Sequence, residues 1–100
     1  MAARFLQSKG YRIIARNLST RFGELDIVAK KALTLIFVEV KGGSSPRIRP
    51  RSRLDFRKLK KMRRVAEWFL KTYGERYESI RFDLVEVYKD EIVHVKDIHP

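Results

Sequence analysis

Two neighbouring segments with the alternating pattern of β-strands place the strongest constraint on this chain. They are "GELDIVA", which begins at Gly23, and "LTLIFVEVK", which ends at Lys41. The short stretch between them, near Lys30 and Lys31, predicts an antiparallel hairpin. Successive side chains of a strand point to opposite faces, so a slip of one residue would exchange every buried side chain for an exposed one. The apolar residues of the hairpin therefore fix its register.

The same register predicts where the charged residues of the hairpin lie. We expect Leu25 and Ile27 to share one face with the valines of the second strand. Asp26 then lies on the opposite face, together with Glu39 and Lys41. Neighbouring side chains across such a strand pair are roughly 5 Å apart. Two carboxylates at that spacing repel each other unless a cation lies between them.

Two carboxylates and a lysine in one place are suited to phosphodiester hydrolysis. Mg²⁺, or Mn²⁺ in its place, binds one or two carboxylates and completes its shell with water and phosphate oxygens. Such a metal polarises the phosphate and lowers the pKa of the attacking water, and a lysine can stabilise the developing charge. An acid-x-Lys triplet also arises by chance on solvated strands. Asp26 on the same face, and the arginine-rich segment after Lys41, favour the functional interpretation.

The charge balance predicts a polyanionic partner. Lys and Arg number 23 against 12 Asp and Glu, which gives a formal net charge of +11. This balance favours nucleic acid, with DNA as our expectation, and less often an anionic membrane surface. Ten basic residues and a single acid lie between positions 47 and 64, whereas a merely solubilising surface mixes the two signs. We predict that phosphates are contacted by Arg47, Arg49, Arg51, Arg53, Lys58, Lys61 and Arg64.

The remaining patterns predict the fold class. A short helix at "AARFLQSKG" ends at Gly10, and a strand follows at "YRIIARN". A long helix, "FRKLKKMRRVAEWFLKTYG", is capped by Asp55 and closed by Gly74. Two further strands, "SIRFDLVEVY" and "EIVHVKDI", complete the order αβββαββ. We therefore expect one α/β domain over residues 1–100, with a mixed sheet flanked by helices.

The composition excludes several classes of protein. Without cysteine, the chain has neither a disulfide framework nor a Cys-ligated zinc site. No segment has the apolar core of a signal peptide or the ~20 apolar residues of a membrane helix. We therefore expect a cytoplasmic protein without a membrane partner, and the sequence leaves a homodimer open.

The motifs "GELDIVA" and "FVEVK" resemble the PD-(D/E)XK nuclease motif. Nearly the whole chain, including "AARFLQSKGYRIIARN", "RKLKKMRRVAEWFL" and "RFDLVEV", resembles the YraN-like family of uncharacterised bacterial proteins, related to archaeal Holliday-junction resolvases. The resemblance implies a restriction-endonuclease-like fold and a Mg²⁺- or Mn²⁺-dependent endonuclease for structured or branched DNA. It implies Asp26, Glu39 and Lys41 as catalytic residues, with Asp26 and Glu39 as metal ligands and Glu24 as an additional acid.

Two other interpretations stay open. Family members carry a Gly-x-x-Gly-Glu segment before the stretch that matches "AARFL", and a helical acid there approaches the metal in related resolvases. This sequence starts at Met1, within that helix, which favours a non-catalytic nucleic-acid-binding protein on a nuclease fold. The other interpretation is a basic RNA- or ribosome-associated protein without a site.

Overall fold

The secondary-structure elements follow the predicted order αβββαββ in the computed structural model, which describes residues 1–42, 56–89 and 91–98. The elements are α1 (Ala2–Ser8), β1 (Arg12–Thr20), β2 (Gly23–Lys31), β3 (Thr34–Gly42), α2 (Phe56–Leu70), β4 (Ser79–Val87) and β5 (Ile92–Val95). The predicted cap Asp55 and the predicted phosphate-binding residues Arg47, Arg49, Arg51 and Arg53 lie outside the described residues.

The five strands form one mixed sheet in the order β1-β2-β3-β4-β5. Only β3 and β4 are parallel, while the other three neighbouring pairs are antiparallel. A parallel pair needs a crossover connection, and α2 lies in the segment that joins β3 to β4. The carboxyl ends of β3 and β4 therefore meet at one edge of the sheet, where Lys41 pairs with Glu86.

The two helices cover opposite faces of this sheet, each over its own apolar core. The α1-side core consists of Ala2, Ala3, Leu6, Tyr11, Ile27, Ala29, Ile36, Val38 and Val85. The α2-side core consists of Leu25, Val28, Leu35, Phe37, Leu59, Met62, Val65, Ala66 and Phe82. The molecule is thus a single α/β domain, as the sequence predicted.

Helix α2 is held on the sheet by its apolar stripe. Leu59, Met62, Val65 and Ala66 recur at helical spacing and are all buried. Burial of side chains such as these contributes roughly 1.5–3 kcal/mol each, apart from the smaller alanine. Most charged residues of α2 lie on the other side of the helix, toward solvent, whereas Lys58 is half-buried. No helix in the described ranges is long and apolar enough to cross a membrane.

Several predicted boundaries differ from the structure: β1 continues past Asn17 to Thr20, and β5 ends at Val95 rather than at Ile98. Helix α2 ends at Leu70 rather than at Gly74, because a tighter turn with a 3.2 Å hydrogen bond from Thr72 N to Phe69 O follows it. The β2–β3 turn lies after Lys31, which pairs with Thr34 across a two-residue loop. Lys30 therefore lies within β2, where it is buried and donates a 2.6 Å hydrogen bond to the carbonyl oxygen of residue 76.

Candidate functional site

A change of face within β2 places Asp26. Leu25 packs in the α2-side core, Ile27 in the α1-side core, and Val28 in the α2-side core again. The expectation that Leu25 and Ile27 share a face is therefore wrong. Strict alternation would put Leu25 and Val28 on opposite faces, so the strand twists between them. Asn17, which lies across from Asp26 between two paired positions, has a φ of 50°, in the left-handed region.

The Asp26 carboxylate lies where β2 and β3 separate. The described pairing of these strands runs from the turn as far as Ile27 opposite Val38. Beyond it, the backbone N–H of Val40 donates a 2.8 Å hydrogen bond to Oδ2 of Asp26. The side chain thus takes the place of a strand carbonyl as the acceptor. This contact fixes the half-buried carboxylate at the fork between the two strands.

Three carboxylates and two lysines surround one cavity next to this fork. The cavity has a volume of about 140 Å³. Its walls are formed by Glu24, Asp26, Glu39, Lys58, Lys61 and Met62. The structure therefore brings the two predicted metal ligands and the additional acid together with the first part of the basic helix α2.

Within the cavity, Glu39 forms an ion pair with Lys58. The distance from Nζ to Oε2 is 2.7 Å, and the two side chains are 33% and 13% exposed for Lys58 and Glu39 respectively. Burial acts to lower the pKa of Lys58, but the hydrogen bond to Glu39 and the charges of Glu39 and Asp26 outweigh it, so the pKa is raised. Lys58, predicted to contact phosphate, is therefore a cation that balances the acids of the cavity.

Lys41 lies two residues beyond Glu39 on the same face of β3, and is half-buried. It is not among the described residues that line the cavity. Its register partner on β4 is Glu86, which is only 3% exposed and whose Oε2 has no hydrogen-bond partner in the described part of the chain. Glu86 was not predicted as a site residue; it alternates with Phe82 and Leu84 on the side of the strand that faces the α2-side core.

A second cavity approaches Asp26 from the α1 side of the sheet. Its volume is about 450 Å³, and Arg16 and Asn17 of β1 lie in its wall with Ile27 and Val40. Asp26 therefore lines both cavities, one on each side of the fork. A ligand bound in either cavity would meet the same carboxylate.

The donor set suits a hard divalent cation. Asp26 uses Oδ2 for the amide of Val40, and Glu39 uses Oε2 for Lys58, so each has a second oxygen to offer a metal. Residues 1–42, 56–89 and 91–98 contain no group of three or more His, Cys, Asp or Glu placed to hold a metal ion. Two carboxylates are enough for Mg²⁺, which fills its other positions with water and phosphate oxygens.

The other buried carboxylate, Asp83, belongs to a network on the opposite face. It is fully buried and accepts hydrogen bonds from Nε and Nη2 of Arg81, both at 2.9 Å, and from the Asp97 amide at 3.0 Å. The Nε2 atom of His94 lies 2.7 Å from it. Burial acts to raise the pKa of Asp83, but these hydrogen bonds outweigh it and the pKa is lowered. The network fastens β5 to β4, which makes it structural.

The predicted phosphate-contacting residues are only partly assembled. Lys58 and Lys61 line the cavity, while Arg64 is exposed on α2 about one turn further along. The four arginines that precede α2 lie outside the described residues.

The chain matches the family model described as "Uncharacterised protein family UPF0102" over residues 1–87. A UPF0102 protein of Kosmotoga olearia is 46% identical over 98 residues, which cover 97% of this chain and 84% of that protein. One from Pseudothermotoga lettingae is 40% identical, with coverage of 97% and 90%. One from Thermotoga maritima is 36% identical, with coverage of 98% and 89%.

Proposed function

The chain belongs to the uncharacterised protein family UPF0102, and we propose that it is a metal-dependent endonuclease that hydrolyses phosphodiester bonds in structured or branched DNA. The observation that carries the proposal is the cavity that Asp26 and Glu39 share with two lysines of α2. Acids placed to hold a divalent cation lie there directly beside cations placed to hold phosphates.

Placement in the PD-(D/E)XK superfamily is part of this proposal. The topology supports it, since the two motif strands form the β2–β3 hairpin and α2 crosses over to a parallel β4. The acids lie where β2 and β3 fork, next to the edge where β3 and β4 both end. Open α/β sheets bind ligands in crevices at the carboxyl ends of their strands.

In this proposal the acidic residues bind the metal and the lysines bind or stabilise phosphate. Asp26 and Glu39 would hold Mg²⁺ or Mn²⁺, which when bound polarises the phosphate and acidifies the attacking water. Lys41 stabilises the negative charge that develops on the phosphate, since an ammonium offers three donors and no acceptor. Lys61 binds a neighbouring phosphate from the cavity wall, and Glu24 is an additional acid at its rim.

The ion pair between Lys58 and Glu39 favours a second candidate function. At 2.7 Å from the carboxylate, the ammonium already neutralises one of the two metal ligands. A chain in which this pair is permanent would be a non-catalytic nucleic-acid-binding protein on a nuclease fold. The two functions share the cavity and the basic helix, and they differ in whether a metal binds.

Calorimetric titration with Mn²⁺ separates the two candidates without a substrate. For the nuclease we expect weak binding, in the micromolar to millimolar range of an open site with few protein ligands. The binding heat should be lost in Asp26→Asn and in Glu39→Gln. Glu78→Gln is the matched control, because this exposed acid is paired with Arg76 away from the cavity. Binding heat that is identical in all four proteins would refute a metal site between Asp26 and Glu39.

A further inference from the structure

Four exposed side chains form one line along α2. Arg57, Lys61, Arg64 and Trp68 are separated by four, three and four residues and are all exposed. Residues at these intervals lie above one another on a helix surface. We call these four residues the α2 line. It begins beside the cavity, because Lys61 also forms part of the cavity wall.

Trp68 differs from the other aromatic residues of this helix. Phe69 stacks on Tyr73 with ring centroids 5.4 Å apart and meets Phe37 edge-on at 6.0 Å, so it belongs to the packed interior. The Trp68 ring takes part in none of the ring–ring or cation–π contacts within the described ranges. The residue is 41% exposed.

A lone exposed aromatic residue needs no explanation, but this one continues a line of cations. The alternation of basic groups with an aromatic ring is the arrangement by which proteins bind single-stranded nucleic acid: the cations follow the backbone and the ring stacks on a base. Within a continuous duplex the bases are already stacked on each other, so a ring can stack on one only at the cost of unstacking a base step.

We propose that the α2 line binds an unpaired segment of nucleic acid, with Arg57, Lys61 and Arg64 on its phosphates and one base stacked on the indole of Trp68. This inference rests on the proposed function and narrows its substrate class to nucleic acid that has unpaired bases next to the cavity. The alternative is that this surface binds a protein partner, and the variants of Trp68 distinguish the two.

The length of the α2 line matches that of a short single strand of nucleic acid. From Arg57 to Trp68 the helix rises about 16 Å, which is roughly five nucleotides at the 3.4 Å spacing of a stacked strand. Stacking of one base on an aromatic side chain changes affinity by about fivefold to 150-fold when the side chain is removed. The contribution does not depend strongly on sequence, because every base has a π-face.

Trp68 is the only tryptophan among the 100 residues, so its fluorescence reports on this position alone. The probes are an oligothymidylate of about ten nucleotides, within the site sizes known for single-strand binders, and a much longer blunt duplex, most of whose base pairs lie away from its ends. We expect the oligothymidylate to quench the Trp68 emission strongly and the duplex to leave it nearly unchanged. Emission unaffected by the oligothymidylate at saturation, or quenched equally by both probes, would overturn the proposal.

Variants measured by anisotropy of labelled probes test the same point independently. Trp68→Ala should weaken single-strand binding by about fivefold to 150-fold, and Trp68→Phe should restore most of it. Duplex affinity and the salt dependence should be unchanged, since no phosphate contact is lost. Tyr77→Ala is the control, as Tyr77 is similarly exposed, at 37%, but is not on α2. Equal losses for both probes, or no loss for either, would show that Trp68 is not a stacking site and would favour a protein partner.

The outcome is separable from that of the proposed function. Metal binding by Asp26 and Glu39 should be the same in Trp68→Ala as in the unmodified chain. Loss of single-strand selectivity with an intact metal site refutes this inference alone. Intact selectivity with no metal site refutes the nuclease but keeps the α2 line as a binding surface.

Discussion

Replacing Lys58 by glutamine should strengthen metal binding. Lys58 holds Oε2 of Glu39 at 2.7 Å, so a metal must compete with its ammonium for that carboxylate. The substitution removes the competing charge and keeps a side chain of similar length. The same substitution should weaken nucleic-acid binding, because a cation is lost from the wall of the cavity. Opposite effects on the two ligands are the distinctive result.

The size of the effect on metal affinity follows from the distance between Lys58 and Glu39 and from the exposure of their side chains. Two unit charges 2.7 Å apart attract by about 6 kcal/mol at an effective dielectric constant of 20. Desolvation of both groups and solvent screening cancel most of this, because the Lys58 side chain is one-third exposed. A net of about 1 to 2 kcal/mol remains, between the values for exposed pairs and for charged hydrogen bonds. The dissociation constant for Mn²⁺ should therefore fall by about fivefold to thirtyfold.

The assay is calorimetric titration of Lys58→Gln with Mn²⁺ at constant ionic strength. Lys60→Gln is the matched control, because Lys60 is exposed on the same helix and its loss changes the net charge equally. A general electrostatic effect would strengthen metal binding in both variants alike. Unchanged or weaker binding in Lys58→Gln would refute the claim that Lys58 and a metal compete for Glu39.

Three further predictions concern stability and binding. Asp26→Ala should lower the free energy of unfolding by about 1 to 3 kcal/mol, because the Val40 amide loses its acceptor. Asp26→Asn should lower it less, and urea denaturation of the two variants measures the difference. The pKa of Asp83 is lowered, because the hydrogen bonds to its carboxylate outweigh the effect of burial. The ionised carboxylate therefore stabilises the fold at pH values above the ordinary Asp pKa, and this stabilisation is lost as the pH falls through the lowered pKa. Asp83→Asn should lower the free energy of unfolding by about 3 to 5 kcal/mol near pH 7 and by less once the pH falls through that lowered pKa, while Asp97→Asn, which alters an exposed side chain, should change it little at either pH. Replacing three arginines within 47–53 by alanine should reduce the slope of log affinity against log salt by about three. An unchanged slope would mean that these arginines do not contact phosphates and serve only to keep the protein soluble.

The fold was largely predictable, because each element carries a local signal. Alternation marked the strands and helical spacing marked α2. Gly10 was correctly predicted to end α1, which stops at Ser8, since Gly10 has a φ of 90° that other residues rarely adopt. The end of α2 was missed because Gly74 offered a terminator, while the actual end is a tight turn after Leu70 with no comparable marker.

The candidate site was predictable only where it depends on the hairpin. Asp26 and Glu39 were expected together and do line one cavity, although the twist after Leu25 makes the expected strand geometry wrong. The roles of these acids and of Lys41 remain predictions. The alternation of the sequence could not reveal that β2 changes face between Leu25 and Ile27, which is seen only in the two packed cores.

The contacts that could not be predicted from the sequence join segments that are far apart along the chain. The pair between Lys58 and Glu39 depends on how α2 lies over the sheet, and the position of Glu86 beside Lys41 depends on the parallel register of β4. Neither follows from spacing along the chain, because the partners are far apart in sequence. The 41% exposure of Trp68 likewise depends on the rotation of α2 about its axis, which spacing along the chain does not fix.

Cleavage of a four-way DNA junction tests the central claim most directly. We predict cleavage with Mg²⁺ or Mn²⁺ and none with EDTA. Lys41→Ala should abolish cleavage while leaving metal binding and junction affinity nearly intact, because its role is confined to the transition state. Asp26→Asn should abolish cleavage and metal binding together. Cleavage by Lys41→Ala at the rate of the unmodified chain, or tight junction binding without cleavage by the unmodified chain, would contradict the account.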